Sequence, residues 1–259
     1  MINEIHTILD ALKLHHARAA VDGQLKAAQK QKTSYSAFLL ELLRREHEGQ
    51  RDRTIARRLK RSGLQEYWTL ETFPFHVQKC VDKRLIDELA ELDFIDRGQS
   101  VVFIGQPAVG KSGLASGIMM KALYAGRRCQ AIKADALFEE LGNSHADRST
   151  RARLQRFARL DLLLIEEFGF INPLEPAQVN AFFRLMDDRC NRKSTMITSN
   201  LGFDEWEKFL GGSALVAALV SRLLQNCKTI MFPKQALKLR NPNLGLPARA
   251  QRPAVLDAA

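Results

Sequence analysis

The amino-acid sequence predicts an α/β fold, in which a parallel sheet is flanked by helices, preceded by an all-helical domain. From residue 78 onward, short apolar runs alternate with longer amphipathic stretches, which is typical of a parallel sheet covered on both faces. The first 61 residues contain no proline and repeat their apolar residues at helical spacing. A length of 259 residues accommodates one α/β domain and a smaller helical one.

The predicted elements follow in chain order. Two apolar stripes predict N-terminal helices, and Ser34 or Thr33 is the expected N-cap of the second. The stripes consist of Ile2, Ile5, Leu9 and Leu12, and of Tyr35, Phe38, Leu39, Leu42 and Leu43. A helix is predicted over 78–92, and strands at 101–104, 128–132, 161–165, 194–199 and 227–232. We therefore divide the chain into a helical domain (1–63), an aromatic-rich connector (64–77), an α/β domain (78–240) and a disordered tail (241–259).

The first predicted strand leads into a phosphate-binding signature. Residues 105–112 read Gly-Gln-Pro-Ala-Val-Gly-Lys-Ser, the pattern of a P-loop between a strand and a helix. Gly105 and Gly110 allow the tight turn, Lys111 can reach the β- and γ-phosphates, and the Ser112 hydroxyl can hold Mg²⁺. The pattern therefore predicts ATP and Mg²⁺ as cofactors. The predicted nucleotide contacts are Gly105, Gln106, Pro107, Ala108, Val109, Gly110, Lys111, Ser112 and Gly113.

Two carboxylates follow the strand predicted at 161–165. This is the Walker B arrangement, in which Glu166 would share Mg²⁺ with Ser112 and Glu167 would orient and polarise the attacking water. A core strand with an exposed polar end is the alternative, and the preceding P-loop argues against it. Asp161 begins the strand and lies too far back to replace either acid.

Two residues depart from the usual nucleotide-site pattern. The metal-side acid is usually Asp, so the longer Glu166 predicts looser metal geometry and slower turnover. Ala108 stands where a third glycine is common, and a positive φ there would cost about 1–2 kcal/mol.

Asn200 ends the strand predicted at 194–199. Its amide can hydrogen-bond the γ-phosphate or the attacking water, which is the role of a sensor residue. A Ser-Asn turn is an equally good interpretation of this dipeptide alone. Its position after the Walker A and Walker B motifs favours the sensor.

Positive charge is concentrated at the N-terminus. The net charge is +10, and the first 61 residues hold 13 basic and 7 acidic residues. A solvated helix face is the default interpretation of such a run, but its density favours contact with the DNA backbone. The predicted DNA contacts there are Arg53, Arg57, Arg58, Lys60 and Arg61.

Composition excludes several other classes of protein. The four cysteines are far apart and form no C-x-x-C pair, which argues against a zinc site or a disulfide framework. No signal peptide is visible and no apolar run approaches the ~20 residues of a membrane span. We therefore expect a cytoplasmic protein without a membrane partner.

Three segments resemble IstB, the helper ATPase of an insertion-sequence transposon, in the AAA+ branch that also holds the helicase loader DnaC. They are the runs 161–170, 198–206 and 221–224. The basic helical region and the connector at 69–75 resemble the N-terminal domain of IstB, so the likeness covers most of residues 1–240. It implies an AAA+ P-loop fold without a full C-terminal lid. It also implies an ATP-dependent homo-oligomer that assembles on double-stranded DNA and helps a transposase.

The resemblance also implies roles for several basic residues. In this clade an arginine near the end of the helix before the last strand reaches the γ-phosphate of a neighbouring subunit, and Arg222 matches it. Lys238 and Arg240 fall where a second sensor arginine is expected. An extra helix before the Walker B strand lines a DNA groove in this branch, which implies DNA contacts from Arg148, Arg151 and Arg153, with an ordinary solvated helix as the alternative. Nothing in the sequence resembles a base-reading module, so we expect largely sequence-independent binding.

Two other functions stay open at this point. A helicase loader would bind a replicative helicase and single-stranded DNA. A small-molecule kinase would ignore DNA, and the basic N-terminus argues against it. The chain lacks the acidic catalytic cluster of a DNA-cutting enzyme, so strand cleavage would belong to the transposase.

Overall fold

The computed structural model describes residues 2–142, 150–169, 174–212, 214–239 and 253–256. The chain divides into two compact units, one of residues 1–58 with 254–259 and one of residues 59–253. The helices are α1 (Ile2–Ala11), α2 (His15–Gln31), α3 (Tyr35–Arg61), α4 (Lys83–Ala90), α5 (Asp93–Asp96), α6 (Lys111–Tyr124), α7 (Ala134–Gly142), α8 (Thr150–Ala158), α9 (Pro176–Arg189), α10 (Phe203–Phe209) and α11 (Ala214–Gln225). The strands are β1 (Ser100–Ile104), β2 (Cys129–Lys133), β3 (Leu162–Phe168), β4 (Ser194–Ser199) and β5 (Cys227–Met231).

The second unit is built on one parallel sheet in the order β2-β3-β4-β1-β5. The central strands β1 and β4 are buried along their whole length, and β3 is buried up to its polar end. Double-sided burial explains their nearly continuous apolar sequences. The predicted α/β architecture is therefore confirmed, and all five strands lie within three residues of their expected bounds, the largest difference being the end of β3.

The N-terminal unit has a small core of its own. Ala17, Val21 and Leu42 are buried in it, and partly buried apolar residues of all three helices pack around them. The stripe predicted on α3 is divided, because Phe38 packs on this core while Tyr35 is 94% exposed. Leu39 and Leu43 are about half exposed as well. The predicted cap of α3 is present, since the Ser34 hydroxyl accepts a bond from the Ala37 N–H.

A buried glutamate caps α2 from another helix. Leu14 precedes α2 and offers no side-chain cap. Glu46 of α3 takes this role, because its carboxylate accepts a 2.8 Å bond from the Ala17 N–H and another from Gln50. Burial alone would raise the pKa of Glu46, but these hydrogen bonds outweigh it and lower the pKa below its ordinary value.

The helix predicted over 78–92 is shorter than expected. It begins at Lys83, where the Asp82 carboxylate accepts a bond from the Arg84 N–H, and it ends at Ala90. Gln78 is not helical, because its side chain is 2% exposed and makes hydrogen bonds to distant backbone instead. Tertiary bonds therefore override the local helical pattern before Asp82.

Charged side chains organise the edge of the sheet where the strands begin. Asp161, before β3, accepts bonds from Arg128 and Lys193, which precede β2 and β4. Burial would raise the pKa of Asp161, but these bonds lower it well below its usual range. Arg189 is 1% exposed and donates to the Phe157 and Leu160 carbonyls. Burial lowers the pKa of Arg189 to about 9.

The remaining expectations concern cysteines, membrane spans and the tail. None of the four cysteines, all of which lie within the described ranges, forms a disulfide bond. Within the described ranges, no helix combines the length and apolarity that a bilayer crossing requires. Ala254–Leu256, inside the tail expected to be disordered, form a short 3-10 helix, and Leu256 is 4% exposed. The other residues of 241–259, apart from Pro253, lie outside the described residues.

Replacement of Glu46 by Gln should destabilise the N-terminal unit by about 1 kcal/mol, because the amide oxygen still accepts the Ala17 N–H but without the charge that strengthens the bond. Because the folded-state pKa is lowered, the carboxylate stabilises the fold fully above the unfolded value of 4.5, and this contribution is lost as the pH falls through the folded-state pKa. Thermal unfolding at pH 7 and at pH 3 measures both effects. Glu48→Gln, at an exposed position of the same helix, is the matched control. Equal losses in the two variants would contradict the capping role.

Candidate functional site

The P-loop joins β1 to α6 with two residues in the left-handed region. Gly110 has φ of 107°, which glycine tolerates, and Ala108 has φ of 65°, so the strain foreseen for a non-glycine residue is present. Gly105 is required for a different reason, since a Cβ there would lie 2.6 Å from that of Phe232. The Gly105 N–H donates to the Ser199 carbonyl of β4. The loop is thus fixed to the neighbouring strand where it begins.

Lys111 and Ser112, the residues predicted to contact phosphate and metal, begin α6 directly after the loop. The Lys111 ammonium lies within the curl of the loop, where it donates to the carbonyls of Gly105 and Gln106 at 2.6 and 2.8 Å. Burial lowers the pKa of Lys111 to about 8. The Ser112 hydroxyl hydrogen-bonds the carboxylate of Glu166. The predicted Walker A and Walker B side chains therefore meet.

The two Walker B glutamates lie in a bulge at the end of β3. The ladder between β3 and β4 shifts register between Ile165 and Phe168. Glu167 has φ of 60°, unusual for a non-glycine residue, and its N–H donates to the Thr198 hydroxyl at 3.2 Å. The bulge breaks the alternation of an ordinary strand, so that Glu166 contacts Ser112 while Glu167 contacts a residue of β2.

That β2 residue is Lys133, which the sequence interpretation did not identify. Its ammonium lies 2.8 Å from the Glu167 carboxylate, at the carboxyl end of its strand. This contact raises the pKa of Lys133. In the sequence, the only indication of this contact was a charged residue at the end of the strand next to Walker B.

The residues present fit a bound Mg²⁺. Burial raises the pKa of Glu166, against the hydrogen bond from Ser112, so a cation would stabilise its ionised form. A hydroxyl and a carboxylate are the oxygen ligands that Mg²⁺ accepts. Among the described residues, no group of three or more His, Cys, Asp or Glu could hold a metal by itself. Two oxygen ligands from the protein suit a cation that completes its coordination with nucleotide phosphates.

Asn200 lies between the P-loop and the Walker B glutamates. It directly follows β4, which runs between β1 and β3, so the three motifs share one edge of the sheet. Its Oδ1 atom is buried and has no hydrogen-bond partner among the described residues. A buried acceptor without a donor is costly, which is consistent with a site for a phosphate-bound water or a metal-bound water.

The back of the P-loop is covered by two segments that the motif did not include. Gln78 Nε2 donates to the carbonyls of Val109 and Leu237, at 2.7 and 2.9 Å. The Leu239 N–H donates to the Ala108 carbonyl at 2.8 Å. The connector and the segment after β5 therefore both attach to the loop, and no sequence signal identified Gln78 as the link.

The connector also packs along α6. A Cβ at Gly117 would lie 2.7 Å from the Leu70 side chain. The Ser116 hydroxyl donates to the Glu66 carbonyl and accepts a bond from the Trp68 N–H. The small residues Ser116 and Gly117 therefore allow the aromatic-rich connector to pack closely against α6.

Arg222 is not brought to the P-loop of its own chain. It lies near the end of α11, which leads into the first residue of β5, whereas the P-loop follows the last residue of β1. Its guanidinium forms an ion pair with Asp187 of α9. Lys238 is exposed, and Arg240 lies outside the described residues.

The predicted DNA contacts are only partly visible. Arg53, Arg57, Lys60 and Arg61 are exposed on α3 and Arg58 is half-buried, and none of the five pairs with an acid in the described ranges. Arg153 of α8 is half-buried and donates to the Glu140 carbonyl. Arg148 lies outside the described residues, as does the side chain of Arg151.

Comparison with known proteins agrees with this geometry. The sequence profile of the family described as IstB-like ATP binding protein matches residues 7–244. The chain belongs to this family. It is 31% identical to the ATP-binding protein of insertion sequence IS21 from Pseudomonas aeruginosa, over 92% of the chain and 90% of that protein. It is also 31% identical to the ATP-binding protein of insertion sequence IS5376 from Geobacillus stearothermophilus, over 94% of the chain and 97% of that protein.

Solved structures show the same fold. The DnaC helicase loader matches with a TM-score of 0.50 and 19% identity, over 58% of this chain and 87% of that one. DnaA from Aquifex aeolicus bound to AMPPCP matches with a TM-score of 0.53 and 21% identity, over 75% of this chain and 59% of that one. The IstB-like family and the AAA+ P-loop fold expected from the sequence are therefore confirmed, and ATP is the family's nucleotide.

Lys111→Ala should reduce ATP affinity by at least about 100-fold, because a buried charge-assisted contact to phosphate is worth about 3 kcal/mol or more. Isothermal titration calorimetry with ATP measures the loss. Lys121→Ala is the matched control, since Lys121 lies on the same helix and pairs with Glu71 at the surface. If Lys111→Ala binds ATP as tightly as the wild-type protein, the loop does not hold the phosphates.

Proposed function

We propose that the protein is a Mg²⁺-dependent ATPase that assembles on double-stranded DNA with ATP bound and helps a transposase. The observation that carries the ATPase proposal is the contact between Ser112 and the half-buried Glu166, beside a second glutamate in a strained bulge. Strained backbone is costly to keep and concentrates at functional sites. The insertion-sequence relatives support the link to transposition.

Each side chain has a distinct part in the proposed hydrolysis. Lys111 neutralises the β- and γ-phosphates, and Ser112 with Glu166 would hold Mg²⁺, which supplies charge stabilisation to the transferred phosphoryl group. Glu167 orients the attacking water and accepts its proton. Asn200 offers its unpartnered amide oxygen to that water.

Lys133 sets the resting position of Glu167. Their ion pair directs the Glu167 carboxylate toward β2. Both side chains are about half exposed, so the pair contributes only about 0–1 kcal/mol and exchanges easily. We infer that the carboxylate leaves Lys133 when it takes up the water.

Arg222 is proposed to complete the site of a neighbouring subunit. Its position near the start of β5 keeps it from its own P-loop, and its pairing with Asp187 is an exposed contact that a neighbour's phosphate can replace. ATP would then be held between two subunits, so binding orders the assembly and hydrolysis loosens it.

DNA contact is proposed for the basic end of α3 and for α8. The five basic residues at 53–61 are available for phosphates, which bind sequence-independently. A second basic surface is a shallow cleft of about 440 Å³ at the edge where the strands begin. It is lined by Arg128, Ala152, Gln155, Arg156, Arg159 and Leu160.

Subunit mixing tests the catalytic glutamate and the shared site together. Glu167→Gln should bind ATP and assemble without turnover, because an amide cannot accept the proton. Arg222→Ala should bind ATP without assembling or turning over. A mixture in equal parts should recover about a quarter of wild-type turnover, since half of the sites retain Glu167 and half of those meet a neighbour with Arg222. Steady-state phosphate release measures this. No recovery, with normal assembly by Arg222→Ala alone, would remove Arg222 from the proposed interface.

Charge reversal tests the DNA surface. Changing Arg57, Arg58 and Arg61 to Glu should weaken duplex binding by orders of magnitude and lower the log–log salt slope by about three, at about 0.9 per phosphate. Fluorescence anisotropy with duplexes of unrelated sequence measures both quantities, and ATP affinity should not change. The matched control reverses Lys26, Lys30 and Lys32, three exposed basic residues in the C-terminal half of α2 and just after its end. Equal losses of duplex affinity in both variants would indicate a general charge effect. A clear preference of the wild-type protein for single-stranded DNA would favour a helicase loader.

A further inference from the structure

Ser199 contacts all three nucleotide motifs. Its carbonyl accepts the N–H of Gly105, the first residue of the P-loop, at 3.1 Å. Its hydroxyl donates to the carbonyl of Phe168 at 2.8 Å, directly after Glu167. The next residue in the chain is Asn200. The P-loop, the Walker B bulge and the sensor residue are thus joined through one fully buried side chain and its backbone.

Trp206 of α10 determines the direction of the Ser199 hydroxyl. A serine hydroxyl has one donor and two acceptor positions. The Leu201 N–H and the Trp206 indole N–H fill the two acceptor positions, at 3.0 and 3.1 Å. The proton is therefore directed to a carbonyl, and Phe168 is nearer than Leu201, at 2.8 against 3.1 Å.

This arrangement stabilises the bulge from both sides. The Thr198 hydroxyl holds the N–H of Glu167, and the Ser199 hydroxyl holds the carbonyl of the residue after it. A non-glycine residue at positive φ persists only when its surroundings over-determine it. Trp206 is 1% exposed and its ring centroid lies 4.7 Å from that of Phe168, so the tryptophan cannot rotate away.

We propose that Ser199 and Trp206 are positioning residues, which hold the Walker B glutamates and Asn200 in the geometry that Mg²⁺–ATP requires. Neither side chain needs to touch the nucleotide. The proposal rests on the proposed ATPase function, and it extends that function to a network of hydrogen bonds behind the reacting groups.

The test measures ATP affinity with and without Mg²⁺, together with ATP turnover, in Ser199→Ala, Trp206→Phe and the double variant. Affinity in EDTA should stay within about twofold of wild type, because the P-loop is unchanged. The gain in affinity from Mg²⁺ and kcat should each fall by about 10- to 100-fold, as for other residues behind metal ligands. The double variant should be no worse than Ser199→Ala, since both substitutions remove one network.

Phe203→Leu is the matched control for lost packing. Its ring lies 5.2 Å from that of Trp206, so the variant loses an aromatic contact but keeps the indole hydrogen bond. It should lower the unfolding temperature without changing kcat or the effect of Mg²⁺. If Ser199→Ala does not fold, Trp206→Phe carries the test alone. Wild-type values of kcat and of the Mg²⁺ effect in both variants would overturn the proposal.

The ATPase function and the positioning role can fail separately. Absence of turnover in the wild-type protein would refute the ATPase proposal, and the effect of Mg²⁺ on ATP affinity would still test the positioning role. Additive losses in the double variant would show that the two residues act independently, which also contradicts the proposal.

Discussion

The position of β4 between β1 and β3 is the constraint on which the nucleotide site depends. Parallel strands end at the same edge, so Gly105, Glu166 and Asn200 converge although they are far apart in sequence. The central strands hold this edge by being buried on both faces. The bulge at the end of β3 then modifies the edge locally, because it turns two consecutive carboxylates toward different partners.

The pKa values of charged groups are shifted in opposite senses at the two edges of the sheet. Where the strands begin, Asp161 is paired with Arg128 and Lys193, and its pKa is lowered. Where the strands end, burial dominates, so the pKa of Glu166 is raised and that of Lys111 is lowered. At the first edge, the Asp161 carboxylate finds its cationic partners within the chain. At the second edge, a bound triphosphate with Mg²⁺ would stabilise the charged forms of Glu166 and Lys111.

The sequence was sufficient for the features that depend on local pattern. The strands were predictable because double-sided burial demands long apolar runs, and the P-loop was predictable because its backbone demands particular residues. Features formed by distant partners were not predictable. The helix over 78–92 was placed too early because Gln78 bonds to Val109 and Leu237, and the α3 stripe did not show that Tyr35 would be exposed. Lys133 and Arg189 acquire their roles only through contacts across the fold.

The attachment of residues 237–239 to the phosphate loop bears on how the protein is made. The Ala108 carbonyl is bonded by Leu239, which is translated long after it, and Gln78, which bonds Val109, also bonds Leu237, 159 positions further along the chain. On the ribosome, the nascent loop therefore lacks the bond from Leu239, and Gln78 lacks its bond to Leu237, until nearly the whole α/β unit has emerged. A chain that ended before Leu237 would lack both of these bonds behind the phosphate loop.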